Sequence, residues 1–290
     1  MNYDSIRIGV IGGSGLYQME GLEDVHEIRA TTPFGDPSDT LVAGRIEGVP
    51  VVFLPRHGRG HVHTPTEVPY RANIYALKQL GVEKIISISA CGSLREHLHP
   101  GDIVVPDQVF DFTKNRTYSF FGEGLVAHVS VADPFCPVLS ALLFDAGVAA
   151  GGTVHRGGTF ITIEGPRFST KGESLVYRQW GMDIIGMTAS PEAFLAREAG
   201  MCYATMAHIT DYDVWHESEE PVTVEMVIQV LQRNVGLAQQ GLRLLVPRLV
   251  EANAECACAS ALDTALITAR DHIPTATLDK RRLLVGARLD

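Results

Sequence analysis

Short apolar runs alternate along this chain with stretches whose apolar residues recur at helical spacing, and that alternation predicts an α/β fold. Ile6 to Ile11 reads as a first strand, running into Gly12-Gly13-Ser14-Gly15, and Val51 to Pro55 as another that runs into Arg56-His57-Gly58. From about Tyr70 to Leu80, Ala72, Ile74, Leu77 and Leu80 recur close to the helical period, so a helix is expected there. Ile85 to Ser89 reads as the next strand, ending at Ala90-Cys91-Gly92-Ser93, and Pro100-Gly101 marks a turn before Asp102 to Phe110.

Further along, Pro137 to Ala149 reads as a helix, Gly158 to Ile163 as a strand and Thr170 to about Trp180 as a helix. Ile184 and Ile185 lead into Gly186-Met187-Thr188, after which Pro191 starts a helix at a position where its missing N–H does no harm. Met201 to Ile209 reads as a buried strand that ends in Thr210-Asp211-Tyr212-Asp213. Val222 to about Leu245 forms a long amphipathic helix that Pro247 is expected to end or kink. The tail from Ala261 to Leu289 is expected to be helical in part. No internal repeat, low-complexity segment or interdomain linker is visible.

Composition narrows the class. A length of 290 residues allows two domains, although single α/β domains of this size are common, and 46% hydrophobic with 20% charged residues suffices for a large core. A formal charge of -10 argues against a protein whose main work is gripping nucleic acid or an anionic membrane, so any anionic ligand must be held locally. Met1 to Ser5 lacks the basic and apolar pattern of a leader, no run reaches membrane-spanning length, and a cytoplasmic location is expected. Of five cysteines, Cys91, Cys136 and Cys202 lie in apolar surroundings. The Cys256-Ala257-Cys258 spacing suits redox or metal chemistry, but no second pair of ligands stands at short spacing from it, and no metal is assigned.

Several strand ends finish in small, donor-rich loops: Gly12-Gly13-Ser14-Gly15, Arg56-His57-Gly58, Ser89-Ala90 and Met187-Thr188. Glycine lets backbone N–H groups approach an oxyanion, hydroxyls add donors, and arginine supplies a planar fork matched to phosphate. The dinucleotide fingerprint fails because Gln18 stands where the third glycine belongs, and no Gly-Lys-Ser/Thr phosphate loop is present. Gly-Gly-Ser-Gly is not the spaced nucleophile elbow, which sets acyl transfer aside. Arg56 and His57 also suit a salt bridge and a satisfied loop histidine. Asp211 and Asp213 admit two readings: acids in a turn or helix cap, or two carboxylates meeting one ligand at a strand's carboxyl end.

Ile11 to Leu16, Thr32-Pro33-Phe34-Gly35, Arg56-His57-Gly58, Ala90 to Arg95, Pro100-Gly101-Asp102, Glu164 to Ser169, Gly186-Met187-Thr188, Pro191-Glu192 and Thr210 to Asp213 together resemble the methylthioadenosine phosphorylases, within the trimeric purine nucleoside phosphorylase family. The matches run in order to about Leu245, and the tail beyond Val250 departs from the family. The resemblance implies a nucleoside phosphorylase domain over 1–250, with 251–290 as an extension packed on it. It also implies a mixed, twisted, partly barrel-like sheet flanked by helices, and a homotrimer. The implied reaction is phosphorolysis of methylthioadenosine to adenine and methylthioribose 1-phosphate, with inorganic phosphate as co-substrate and no metal or organic cofactor. A broader purine nucleoside phosphorylase acting on adenosine, inosine or methylthioinosine is the alternative.

Carried over by position, the resemblance gives phosphate to Ser14, Arg56, His57, Ser89, Ala90 and Thr188, with Ser14 and Ser89 where many relatives use threonine. It sets Met187 beneath the ribose, Ser169 near the base, and Val224, Val227 and Ile228 around the 5' substituent, and it lends His128 to the neighbouring subunit. Asp211 and Asp213 face the purine as the catalytic pair. A protonated Asp211, its pKa raised by desolvation and by Asp213, suits donation to N7. The acidic pair also accepts from a 6-amino group, whereas a 6-oxo group meets acceptor with acceptor; relatives that prefer 6-oxopurines carry Asn at the position of Asp211. Apolar Val224, Val227 and Ile228 favour a methylthio group over a hydroxyl, though each equally suits the core face of a helix.

Overall fold

A computed structural model describes residues 6–216, 224–251 and 255–289. Among these, strands and helices follow one another as β1 (Ile8–Gly12), β2 (Glu23–Ile28), β3 (Leu41–Ile46), β4 (Val49–Pro55), α1 (Tyr70–Gln79), β5 (Lys84–Ser93), β6 (Ile103–Val105), β7 (Gln108–Phe112), α2 (Pro137–Ala149), β8 (Val154–Arg156), β9 (Thr159–Ile163), α3 (Lys171–Gln179), β10 (Ile184–Gly186), α4 (Ala189–Glu198), β11 (Cys202–Asp211), α5 (Val224–Glu251) and α6 (Thr275–Val285). The strands form one mixed sheet in the order β2-β3-β4-β1-β5-β10-β9-β7, with β11, β6 and β8 branching from β5. The α/β expectation and the mixed sheet are borne out.

The continuous apolar runs have a direct cause. Every residue of β1 and nearly every residue of β5 and β11 is buried, because helices cover both faces of the sheet. On one face, Ile74 and Leu77 of α1 join Ala193 and Leu195 of α4; on the other, Leu139 and Leu143 of α2 join Leu242, Leu245 and Leu249 of α5.

The sheet divides at β5. Along one edge β5 pairs in parallel with β11 from Lys84 to Gly92. Along the other it pairs in parallel with β1 only as far as Ser87, and then antiparallel with β10 at Gly92 and Ser93. Ile88 to Cys91 therefore face a gap between two neighbouring strands, about 13 Å long at about 3.3 Å per residue.

Several expectations needed correction. The stretch from Asp102 to Phe110 is two strands, because Pro106 has no N–H to give a ladder; β6 then joins β11 and β8, while β7 joins β9. Strands β2 and β3, which extend the sheet antiparallel from the anticipated β4, were not foreseen, and the β3–β4 turn, Glu47-Gly48, takes positive φ at both residues. Pro247 does not end α5, which continues to Glu251 with Leu245, Val246 and Leu249 buried around it. Ser190 breaks helical geometry, and regular helix resumes at Pro191, as expected. The tail is helical in α6, and its buried Arg281 donates through Nε to the Phe120 carbonyl at 2.5 Å and binds Glu123 at 3.1 Å. No helix among the described residues is long and apolar enough to cross a membrane.

Helix α3 begins with a capping box, in which the Glu173 N–H donates to the Thr170 hydroxyl at 3.1 Å and the Thr170 N–H donates to the Glu173 carboxylate at 2.7 Å. Thr170→Ala is expected to lower unfolding free energy by about 1 kcal/mol in urea; an unchanged midpoint would show that the box adds nothing.

Candidate active site

The gap in the sheet collects the strand ends singled out in the sequence. β1 ends at Gly12 beside Ile88, and the Arg56 N–H that follows β4 donates to the Gly12 carbonyl at 3.0 Å. Coming from the other side, β10 runs antiparallel to β5, so continuing its register carries Met187 and Thr188 past Ala90 and Ser89. Topology thus directs Arg56, Ser89, Ala90 and Thr188 toward this gap, and Ser14 follows the end of β1 by two residues. The Ser14 side chain lies outside the described residues. Thr188 stands at the N-terminus of α4 and makes no side-chain capping bond, which leaves a hydroxyl beside a helix N-terminus where an anion is favoured.

Arg56 is buried, and its guanidinium is largely committed within the protein. Nε and Nη2 donate to the two oxygens of the fully buried Glu192 at 2.8 and 2.9 Å, Nη2 also donates to the Ser87 hydroxyl at 2.7 Å, and Nη1 to the Ile88 carbonyl at 3.1 Å. Of five N–H donors, these contacts leave one, on Nη1, for a ligand. Burial opposes the charge on Arg56, but attraction and hydrogen bonding from Glu192 outweigh it and hold the pKa above its ordinary value. Tyr203 adds a hydrogen bond to Glu192 at 2.7 Å.

His57 is a neutral imidazole here. Burial and then the adjacent Arg56 charge push its pKa down to about 4. Its Nδ1 lies 2.9 Å from the His63 carbonyl, so Nδ1 carries the hydrogen and Nε2 remains an acceptor. His57 therefore brings no positive charge to phosphate, but it can accept a hydrogen bond from a protonated phosphate oxygen.

The acids lie farther along the same strands. β11 is in parallel register with β5, with Ala207 opposite Ser89 and Asp211 opposite Gly92, about 10 Å beyond it. That spacing leaves room for a sugar between an anion at Ser89 and a base at Asp211. A bulge at Thr210 shifts the register just before Asp211, and Gly92 admits the acid because a Cβ there would stand 2.8 Å from Asp211 Oδ1. Burial raises the Asp211 pKa to about 6, with Asp213 repulsion as a lesser cause and hydrogen bonds from Thr210 and the Asp213 N–H opposing. The single Thr210 hydroxyl hydrogen meets two acceptors, Asp211 Oδ2 at 2.5 Å and the Cys91 carbonyl at 3.2 Å. A proton on Asp211 satisfies both contacts at once.

Asp213 follows with φ of 52°, its carboxyl pushed up by burial while the nearby Ser174 and Ser169 hydroxyls and the Val214 N–H pull it back. Asp213 Oδ2, Ser169 Oγ and Ser174 Oγ close no well-formed hydrogen bond among the described residues, a cluster of buried polar atoms suited to a polar ligand edge. Trp215 fixes the loop by donating to the Ser93 carbonyl at 2.7 Å under the Arg178 guanidinium, 3.5 Å from its ring centroid.

Two side chains were given no role in the sequence reading. Glu192 carries the Arg56 contact from 136 residues away. Arg116, also buried, donates to the carbonyls of Met187 at 2.7 Å, Ser190 at 2.6 Å and Glu164 at 2.8 Å, which fastens the Met187–Thr188 turn to the end of β9. Arg116 lies in the loop between β7 and α2, and no motif read in the sequence marked it. Hydrogen bonds from Thr66 and the Lys114 and Asn115 N–H groups, with the Arg116 charge, overcome burial and bring Glu164 down to about 2. His128 stands apart on the surface, its N–H bonded to the Ala265 carbonyl at 2.8 Å. The side chains of Val224, Val227 and Ile228 lie outside the described residues, although their backbone begins α5.

Known proteins match this chain over nearly its whole length. The family model described as the Phosphorylase superfamily matches residues 7–246. The S-methyl-5'-thioadenosine phosphorylase of Geobacter sulfurreducens is 55% identical over 281 residues, covering 97% of this chain and 98% of the relative. That of Thermosynechococcus vestitus is 54% identical over 286 residues, covering 98% and 99%. A crystal structure of methylthioadenosine phosphorylase sourced from an antarctic soil metagenomic library superimposes with a TM-score of 0.93 at 48% identity, covering 97% of this chain and 99% of that one. The Schistosoma mansoni methylthioadenosine phosphorylase in complex with adenine gives 0.82 at 37% identity, covering 98% and 99%.

Removing one partner of the Arg56–Glu192 pair should strand a buried charge. Glu192→Ala is expected to lower unfolding free energy by about 3–5 kcal/mol, read by urea denaturation. A loss under about 1 kcal/mol, the range of exposed pairs, would deny the pair its structural role.

Proposed function

The chain belongs to the Phosphorylase superfamily, and on that premise we propose that it catalyses phosphorolysis of S-methyl-5'-thioadenosine, releasing adenine and 5-methylthioribose 1-phosphate. The observation that carries the mechanism is the buried Asp211, with its pKa raised to about 6, at the far end of a groove whose near end holds the anion loops. Near-full-length identity above 50% to methylthioadenosine phosphorylases supports the substrate.

The chemistry follows from where charge develops. Phosphate attacks C1' of the ribose as the bond from C1' to N9 of the purine breaks. Positive charge grows on the sugar and negative charge on the base, so bound phosphate stabilises the first and a proton delivered at N7 the second. Ser14, Ser89, the Ala90 backbone, Thr188, the remaining Arg56 donor and the His57 acceptor hold the phosphate in this reading. Met187 underlies the ribose, while Ser169 and Asp213 meet the purine edge. Asp211 gives the N7 proton: about one molecule in ten of the free enzyme is protonated there at pH 7, and a purine that excludes water raises that share. Val224, Val227 and Ile228 take the methylthio end. The reaction needs phosphate as co-substrate and calls on no metal or organic cofactor. The chain works as a cytoplasmic homotrimer, with the exposed His128 completing a neighbouring subunit's site.

Comparing kcat/KM for methylthioadenosine, adenosine and inosine at saturating phosphate tests the specificity, with methylthioadenosine expected first; inosine as the best substrate would sink the adenine argument. A protonated Asp211 predicts that kcat/KM falls as pH rises through about 6, since the neutral form is lost on the alkaline side. Asp211→Asn should lose turnover by about 100-fold or more, keep its phosphate KM within about threefold and abolish that limb. A limb unchanged in the variant would assign the titration elsewhere.

A further inference from the structure

Cys136 immediately precedes α2, Cys202 opens β11, and Cys256 and Cys258 lie beyond α5. These four free thiols meet at one point, outside the catalytic groove. Their Sγ atoms all lie within 4.8 Å of one another, and those of Cys202 and Cys256 are 3.3 Å apart. A tetrahedral zinc ion holds thiolates at about 2.3 Å, which spaces the sulfurs about 3.8 Å apart. The observed separations span that value, so small side-chain rotations close the shell. Cys136 and Cys258 are buried, while Cys202 and Cys256 are partly so, as a closed structural site requires.

We propose that Cys136, Cys202, Cys256 and Cys258 bind a structural zinc ion. The Cys256-x-Cys258 pair is half of a tetrahedral site, and the fold supplies the other half from two distant elements. Four thiolates on one divalent cation leave a net charge of about -2, and Arg197 offsets it by donating through Nη1 to Cys258 Sγ at 3.3 Å. Binding exchanges up to four thiol protons for Zn²⁺, and no group changes oxidation state. An S₄ donor set favours zinc over the hard cations that prefer oxygen. The ion would fasten the segment after α5 to the first residue of β11 and to the start of α2, strengthening the attachment of the tail.

Full-length protein purified under reducing conditions, incubated with Zn²⁺ and desalted is expected to retain one zinc per chain by elemental analysis. Co²⁺ in its place should give the intense visible bands of a tetrahedral thiolate complex. Cys256→Ser and Cys258→Ser should each weaken zinc retention by more than about tenfold, since even outer partners of a metal site are worth about 10–100-fold, and Cys91→Ala should leave retention intact. Chelation should lower the Tm of the parent protein and leave that of Cys256→Ser unmoved. Failure of the reduced parent protein to retain zinc or develop the cobalt bands overturns the proposal, as do zinc retention by Cys256→Ser equal to the parent's and an intact mass showing disulfides formed in preference to metal.

Discussion

The buried pairing of Arg56 with Glu192 ties the two branches of the sheet together across the gap beside β5. Arg56 follows β4, in the branch that contains β1; Glu192 stands in α4, just after β10 in the other branch. Their contact spans the place where β1 leaves β5 and β10 has yet to join it. A charge this deep is tolerated only because each partner neutralises the other and further hydrogen bonds satisfy the rest, here from Arg56 to Ser87 and Ile88 and from Tyr203 to Glu192. The gap stays open enough for a ligand because an ion pair, rather than strand pairing, bridges it.

That constraint sharpens the role of arginine. A free guanidinium would offer phosphate a bidentate fork, but Arg56 has spent most of its donors on the protein. Its contribution to an anion is a nearby positive charge and one N–H. In the proposed phosphate site, Ser89, Thr188 and backbone amides would supply the remaining hydrogen bonds, and neutral His57 an acceptor. At the other end of the groove burial works in the opposite sense, raising the Asp211 pKa. The same low-polarity surroundings thus sustain a paired cation and favour a neutral acid, depending on whether a counter-charge is present.

Much of the fold was legible because β1, β4, β5 and β11 are covered on both sides and therefore read as apolar runs. Strands β2 and β3 were not, since Glu23, Asp24 and Glu27 make β2 a polar edge and the Glu47-Gly48 turn into β4 lacks the usual turn signal. Pro247 does not end α5, because helical packing of Leu245, Val246 and Leu249 outweighs the loss of one backbone bond. At the site, the glycine and hydroxyl loops announced themselves locally. Glu192 and Arg116 did not, because their meaning comes from partners remote in sequence, and the same holds for the cysteines that join Cys256 and Cys258.

The bulge at Thr210 bears on how β11 finds its alignment. Side chains along the strand from Tyr203 to Asp211 are buried whichever way they point, so a slip by one residue would exchange one apolar face for another with little change in hydrophobic burial. The polar end does discriminate: only the observed alignment sets the Thr210 hydroxyl against the Cys91 carbonyl and lays Asp211 over the bare face of Gly92. The groups proposed to serve the ligand are thus also the key that sets the alignment of β11, so the proposed chemistry and the accuracy of folding would draw on the same few atoms.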